Sequence, residues 1–229
     1  MTKNIVITGA NRGLGLEFVR QYAEDNTRIF ACCRHPKESE ALQALANQHK
    51  QISIHKLDVT LKQDIENITK EITVPIDLLI NNAGFLQSDS LDNVKHDVLL
   101  QSFLTNAIGP LMLIKALRKQ IARSQDKCIA NLSSTMGSIA ENSSGGYYSY
   151  RGSKAALNMF MKSVSIDLAI DDIKIILLHP GWVQTRMGGE SASITPEVSV
   201  SGMRKVIASK AGKNQSLQLT RYNGEVIPW

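Results

Sequence analysis

Asn4-Ile5-Val6-Ile7-Thr8-Gly9-Ala10-Asn11-Arg12-Gly13-Leu14-Gly15 begins as a short β-branched run and breaks into glycines, and the apolar spacing Leu16, Val19, Tyr22 follows. A strand that turns on glycines straight into a helix lets backbone N–H groups approach an anion, packs the helix closely on the sheet, and aims the helix N-terminus at a pyrophosphate. The spacing is not GxGxxG, and no glycine-lysine pair stands five residues beyond Gly9, which excludes a Walker loop.

Further β-branched runs alternate with helical patterns. Asn4–Thr8, Arg28–Cys33, Ile52–Leu57, Ile76–Asn81, Lys127–Leu132 and Ile173–Leu178 read as six strands. Strands separated by helices predict an α/β fold, a single doubly wound (Rossmann) parallel sheet with helices on both faces and ligands beyond the carboxyl ends of the strands. Thr60 followed by Gln63 reads as a capping box ahead of Ile65, Ile68 and Ile72.

At 229 residues and 43% hydrophobic content, the chain fits one domain over 1–229. Such a domain buries about 70% of its unfolded surface and needs no metal or disulfide to hold a core. The balance of 26 Lys plus Arg against 21 acids is scattered, with no basic run interleaved with aromatics, so no nucleic-acid partner is expected. The first apolar run is too short for a signal or a membrane span, so no membrane association is expected. Cys32, Cys33 and Cys128 show neither CxxC nor Cys/His spacing, and His35, His49, His55, His96 and His179 show no ligand spacing. The expectation is a cytoplasmic protein with no metal.

Strand two ends Ala31-Cys32-Cys33-Arg34-His35-Pro36, without an acid to accept from a ribose 2′-hydroxyl. Arg34, backed by Arg12 in the glycine turn, suits a 2′-phosphate, since guanidinium binds phosphate oxygens by a fork of donors. NADP(H) is therefore favoured over NAD(H). Asp58, ending strand three, is placed either to accept from an adenine amino group or to serve the next helix N-terminus.

Tyr150 and Lys154 stand at i and i+4 and share one helix face. Bringing a phenol from about 10 to near 7 takes about 4 kcal/mol, which a neighbouring ammonium and a bound nicotinamide cation would supply. Strand five ends Asn131-Leu132-Ser133-Ser134, strand four ends Asn81-Asn82-Ala83-Gly84, and strand six leads to His179-Pro180-Gly181-Trp182-Val183-Gln184-Thr185, leaving the Thr185 hydroxyl for a carboxamide. Pro110 has no N–H to give the Asn106 carbonyl, so the helix carrying both is expected to kink and leave that oxygen to water.

TGxxxGxG at 8–15, Asp58-Val59, NNAG at 81–84, helical Asn106, Ser134, YxxxK at 150–154 and PG…T at 180–185 together resemble the short-chain dehydrogenase/reductase family over nearly the whole chain. The Ser133–Lys154 segment, the His179–Trp182 turn and the ending Arg221–Glu225 to Pro228-Trp229 resemble its C-factor and Sniffer-like carbonyl reductase branch. The resemblance implies that Tyr150 gives a proton to a carbonyl oxygen, Lys154 tunes it and holds the nicotinamide ribose, Ser134 orients the carbonyl, and Asn106 anchors a water. It implies cofactor contacts at Gly9, Asn11, Arg12, Gly13, Leu14, Gly15, Arg34, Asp58, Val59, Asn82, Ala83, Gly84, Tyr150, Lys154, Pro180, Gly181, Val183 and Thr185. It also implies a small-molecule carbonyl or alcohol substrate, a mobile flap over it near 188–202, and a homo-oligomer, dimer or tetramer, paired through the long helices from about Val94 and Tyr148.

One departure stands out: Ser134 and Tyr150 are sixteen apart where the family usually has thirteen. Tyr147 is thirteen from Ser134, but Arg151 lies four beyond it, and Tyr148 meets Gly152. Reading 141–146 as a longer loop keeps Tyr150, with Ser133 and Ser138 as alternatives to Ser134. Two competitors to a hydride-transferring reductase are a cofactor-binding signalling protein with little or no catalysis and a sugar-nucleotide epimerase or dehydratase, whose larger substrate domain would need residues beyond those after Thr185.

Overall fold

The computed structural model describes residues 2–25, 27–210 and 216–229. Strands β1 (Lys3–Thr8), β2 (Thr27–Cys33), β3 (Ile52–Lys56), β4 (Leu78–Asn81), β5 (Cys128–Leu132), β6 (Lys174–His179), β7 (Leu219–Arg221) and β8 (Val226–Ile227) form one sheet in the order β3-β2-β1-β4-β5-β6-β7-β8. All neighbouring pairs run parallel except β7 with β8. The order reverses between β1 and β4, so the crevice of the doubly wound sheet opens beside the glycine turn.

Helices α1 (Gly13–Ala23), α2 (Glu40–Gln48) and α7 (Pro196–Lys210) cover one face, packing Phe18, Val19, Leu42, Val200 and Met203 on Ile5, Ile7 and Ile29. Helices α3 (Lys62–Glu71), α4 (His96–Phe103), α5 (Gly109–Ala122) and α6 (Tyr148–Asp167) lie on the same side as the second core, where Ile68, Leu113, Leu117, Leu157 and Met161 meet Val6, Leu79 and Ile129. Ile5 and Ile7 belong to one core and Val6 to the other, as the two-residue period of a strand requires.

The six strands read from sequence are present with ends displaced by up to two residues; β4 starts at Leu78, because Ile76 N–H bonds Gln120 and Asp77 N–H bonds Asn4. Strands β7 and β8 escaped that reading, being three and two residues long. Their signal was the Asn223-Gly224 pair, a hairpin turn that the structure completes with Gly224 at φ +96. The capping box at Thr60 and Gln63 is not formed. Asp58 Oδ1 instead accepts from Thr60 N–H and Oγ1 at 2.9 and 2.7 Å, and Asp64 Oδ2 accepts from Asp58 N–H at 2.9 Å. A carboxylate accepts from backbone N–H more strongly than a hydroxyl does.

His96–Ala122 is apolar and long enough to cross a membrane by composition, but 44% of its apolar 18-residue window is buried inside the protein, and Leu113, Leu117 and Ile121 enter the core. The break expected near Asn106 is a π-turn, Leu104–Ile108, with Gly109 N–H bonding the Leu104 carbonyl five residues back. Gly109 allows it: a Cβ there would lie 2.8 Å from the Val59 carbonyl oxygen and 3.0 Å from that of Leu104. Gly109→Ala is therefore expected to lower the denaturant midpoint, with a loss of about 1–3 kcal/mol of stability; an unchanged midpoint would contradict this account of the π-turn.

Candidate active site at the carboxyl ends of the strands

The glycine turn is braced by the strand beside it. Thr8 Oγ1 accepts from the N–H groups of Asn82 and Ala83, both at 3.0 Å, and Asn82 Nδ2 donates to the carbonyls of Thr8 and Gly9 at 2.7 and 3.2 Å. A Cβ at Gly15 would stand 2.1 Å from the Gly9 oxygen, so the turn closes only on hydrogen at this position. Thr8, which the motif contained but the candidate residues did not, thus couples the two strand ends. The amide chain of Asn82 is spent on bracing the turn.

Arg12, at the head of α1, and Arg34, just past β2, are both exposed, and among the described residues neither guanidinium has an acidic or hydrogen-bonding partner. Two unneutralised cations at adjoining strand ends favour an anion. Asp58 is tied into the start of α3, so its structural duty is shown, as described above. Val59 lies against Gly109.

Helix α6 brings Tyr150 and Lys154 to the end of β5. Lys154 Nζ donates to the Leu132 carbonyl at 2.7 Å and stands 5.7 Å from the centre of the Tyr150 ring. Burial pushes Tyr150 up to about 12, while Ser134 pulls the other way, so the neighbouring ammonium alone does not acidify the phenol. Burial also brings Lys154 down to about 8. The ammonium faces the ring and a carbonyl, and desolvation outweighs it.

Ser134 is the serine that reaches the phenol; its Oγ also accepts from Met136 N–H at 3.1 Å. Ser133 is spent on Asn158 at 2.6 Å, and Ser138 accepts from Glu141 N–H at 3.1 Å. Tyr147 sits at φ +50 outside α6, whereas Tyr150 is 8% exposed. Arg151 straps the longer loop, donating to the Gly146 carbonyl at 3.2 Å and to Ser144 Oγ at 2.9 Å. The loop is also held by Asp89, whose carbonyl accepts from Tyr147 N–H at 2.8 Å and whose carboxylate accepts from Ser149 N–H at 3.2 Å. No spacing in the sequence pointed to Asp89.

Asn106 is fully buried in the π-turn and ties three parts together. Its Oδ1 accepts from Phe85 N–H at 2.7 Å, and its Nδ2 donates to the Phe85 carbonyl at 2.8 Å and to Ser153 Oγ at 2.9 Å. Ser153 in turn donates to the Tyr150 carbonyl at 2.8 Å. Gly84 lies beside Asn106, with a Cβ there 3.6 Å from Oδ1.

The loop after β6 departs from expectation twice. Thr185 Oγ1 is engaged within the loop, donating to the Val183 carbonyl at 3.3 Å and accepting from Gly188 N–H at 3.2 Å. The segment 188–202 is not one flap: Pro196 onward is α7, and the part before it is fastened by Gln184 N–H to Ile194 at 2.9 Å, Ile194 N–H to Trp182 at 3.2 Å and Trp182 Nε1 to Gly188 at 2.7 Å. Pro180 accepts from Ser199 Oγ at 2.6 Å, and Gly181 is packed between Ile194 and Tyr222. This loop reaches the glycine turn, where a Cβ on Gly13 would lie 3.4 Å from the Thr185 methyl. An open depression of about 550 Å³ beside it is lined by Gln184, Thr185, Arg186, Gly189 and Glu190 and excludes Ser134 and Tyr150.

The residues thus converge on one crevice, with an anion-seeking turn at one end and a hydroxyl, a phenol and an ammonium at the other. A sequence model of the family described as short chain dehydrogenase matches residues 3–195. The C-signal protein of Myxococcus xanthus is 41% identical over 162 residues, covering 70% of this chain and 97% of that one. Among solved structures, the carbonyl reductase Sniffer of D. melanogaster superposes with a TM-score of 0.93 at 33% identity over 100% of both chains. The NADPH-bound carbonyl reductase from chicken fatty liver gives 0.93 at 35% identity, covering 100% of this chain and 99% of that one. Matched in sequence over most of its length and in fold over all of it, the chain belongs to the short-chain dehydrogenase family of NAD(P)-dependent oxidoreductases.

Proposed function

We propose that the protein is an NADPH-dependent carbonyl reductase in which Tyr150 is the proton donor. The observation that carries this reading is the buried Tyr150 beside Lys154, whose ammonium is fastened to the end of β5, with Ser134 just beyond that strand end. When bound, the nicotinamide supplies the hydride. The residues here fit such a group: Gly9, Asn11, Arg12, Gly13, Leu14 and Gly15 would receive the pyrophosphate, and Asp58 and Val59 the adenine. The backbone of Asn82, Ala83 and Gly84, with Lys154, would hold the inner ribose, and Pro180, Gly181, Val183 and Thr185 the carboxamide end. Thr185 Oγ1 exchanges its bonds within the loop to do so.

A phenol kept protonated by burial is the form a reductase requires, since the carbonyl oxygen takes a proton as it gains negative charge. Ser134 is placed to orient that oxygen. Lys154, charged at neutral pH and bonded to Leu132, fixes the electrostatics of the pair, and Asn106 holds Phe85 and Ser153 about the Tyr150 backbone.

NADPH is preferred because Arg12 and Arg34 are unpartnered among the described residues and no acid ends β2. The NADPH on the chicken carbonyl reductase supports the same choice. Exposed Leu100 on α4, Leu104 and Ile108 in the π-turn and Met112 on α5, with Met159 and Ile166 on α6, support a homo-oligomer. The three buried, unpaired cysteines support a reducing, cytoplasmic location. The M. xanthus C-signal keeps one other reading in play: a signalling protein that binds the cofactor without turnover.

Following NADPH absorbance against a panel of aldehydes, ketones and quinones decides between them. Turnover by the wild type and a loss of about a hundredfold or more in Tyr150→Phe, with NADPH still binding, is the expected result. Equal inertness of both with NADPH bound hands the site to the signalling reading. For the cofactor, replacing Arg12 and Arg34 with alanine should weaken NADPH binding by roughly 10- to 100-fold, on the order of 1.5–3 kcal/mol for a charge-assisted bond, and leave NADH binding nearly unaltered. Losing both cofactors equally would remove the 2′-phosphate assignment. Lys154 also predicts a stability profile. With a folded value near 8 and an ordinary value of 10.5, the unfolded chain binds more protons between those limits. Denaturant midpoints across that range should therefore show the wild type gaining stability over Lys154→Met as pH rises, on the order of 3 kcal/mol in all.

A further inference from the structure

Ser134 lies on a segment with little structure of its own, a single 3-10 turn at Thr135–Gly137 after the end of β5. Its place relative to Tyr150 is imposed by neighbours. On the strand side, Ser133 N–H donates to the Leu178 carbonyl at 2.7 Å, and Thr135 N–H donates to His179 Nδ1 at 3.4 Å. Burial lowers His179 to about 4, so at neutral pH its ring is uncharged and can accept there.

On the helix side, one side chain makes the connection at both ends of the segment. Asn158 Oδ1 accepts from Ser133 Oγ at 2.6 Å, and Asn158 Nδ2 donates to the Gly137 carbonyl at 3.2 Å. Asn158 is 5% exposed and stands one helical turn beyond Lys154. Between the two grips the segment is pressed onto α6, since a Cβ on Gly137 would lie 2.8 Å from Lys154 Cβ. A carboxamide is suited to this because it presents an acceptor and a donor together. An apolar side chain of similar size would leave a buried hydroxyl and a buried carbonyl unpaired, and a carboxylate would offer no donor to Gly137.

We propose that Asn158 is a positioning residue for the reduction, clamping the serine segment at both ends to the helix that carries Tyr150 and Lys154 and so setting the approach of Ser134 to Tyr150. The inference rests on the reductase reading. It follows that loosening the clamp weakens the one contact that holds the phenol below the level burial would set, so the phenol titrates at higher pH.

The test is steady-state kinetics of Asn158→Ala, Ser133→Ala, Ser134→Ala and the Asn158→Ala/Ser134→Ala double variant, with NADPH and whichever carbonyl of the panel the wild type reduces. Asn158→Ala is expected to lower kcat by about 10- to 100-fold. The KM for NADPH should stay within about twofold, the alkaline limb of the kcat–pH profile should move upward, and the further cost in the Ser134→Ala background should vanish, as for residues acting through one contact. Ser133→Ala removes one grip without opening a large hole and should give a smaller effect of the same kind, which keeps the test decisive if Asn158→Ala does not fold. Unchanged kcat and pH profile with only a lowered melting temperature, or a full additive loss in the Ser134→Ala background, would overturn the assignment. A wild type that reduces nothing would count against the reductase reading instead. In that case amide exchange at residues 135–138 in the cofactor-free protein still reads the clamp, faster in Asn158→Ala if it exists and unchanged if it does not.

Discussion

A buried ammonium on a backbone carbonyl organises this protein. Lys154 Nζ on Leu132 O joins the helix behind the crevice to the end of a central strand, and it does so 4% exposed to solvent, with its pKa brought down to about 8. A cation taken out of water is destabilising unless hydrogen-bonded, and one carbonyl offsets only part of that cost. The fold keeps the residue nonetheless, within a bonded surround: the serine segment lies against Lys154, Ser153 holds the carbonyl of Tyr150, and Asn106 holds Ser153. Stability given up at a strand end is the usual mark of a site built for chemistry.

The same crevice is supported from the nucleotide end by uncharged groups. Thr8 and Asn82 fix the glycine turn with four bonds between two strand ends. Among the described residues, the arginines beside it have no acidic partner. This division is physically economical: neutral hydrogen bonds set the shape, while unpaired cations are left to meet an anion. The loop after β6 reaches both regions, with Thr185 near Gly13 and Met187 near Gly84.

Several features were readable from local pattern because local forces decide them. The glycine turn, the strand ends NNAG and NLSS, and the pair Tyr150 and Lys154 at one helical turn all depend on spacing along the chain. The hairpin after β7 went unread despite its Asn223-Gly224 turn, because its strands are too short for periodicity to register. Other features had no local signature. Asp89 reaches the head of α6 from sixty residues away, and Arg151, which by position could have passed for the partner of Tyr147, instead straps the loop before it. The capping box failed at Thr60 because Asp58 accepts from both its N–H and its hydroxyl.

From its order of residues alone, the chain determined a doubly wound sheet and the chemical types waiting at its strand ends, since alternation, glycine and helical spacing act within a few residues. Only the tertiary structure decided which serine meets the phenol, that Thr185 is engaged within its loop, and that Tyr150 is pushed up to about 12 where a neighbouring ammonium had suggested the opposite. Protonation depends on how far water is excluded and on which dipoles face the oxygen. Both are sums over residues that are distant in the chain and adjacent only after folding.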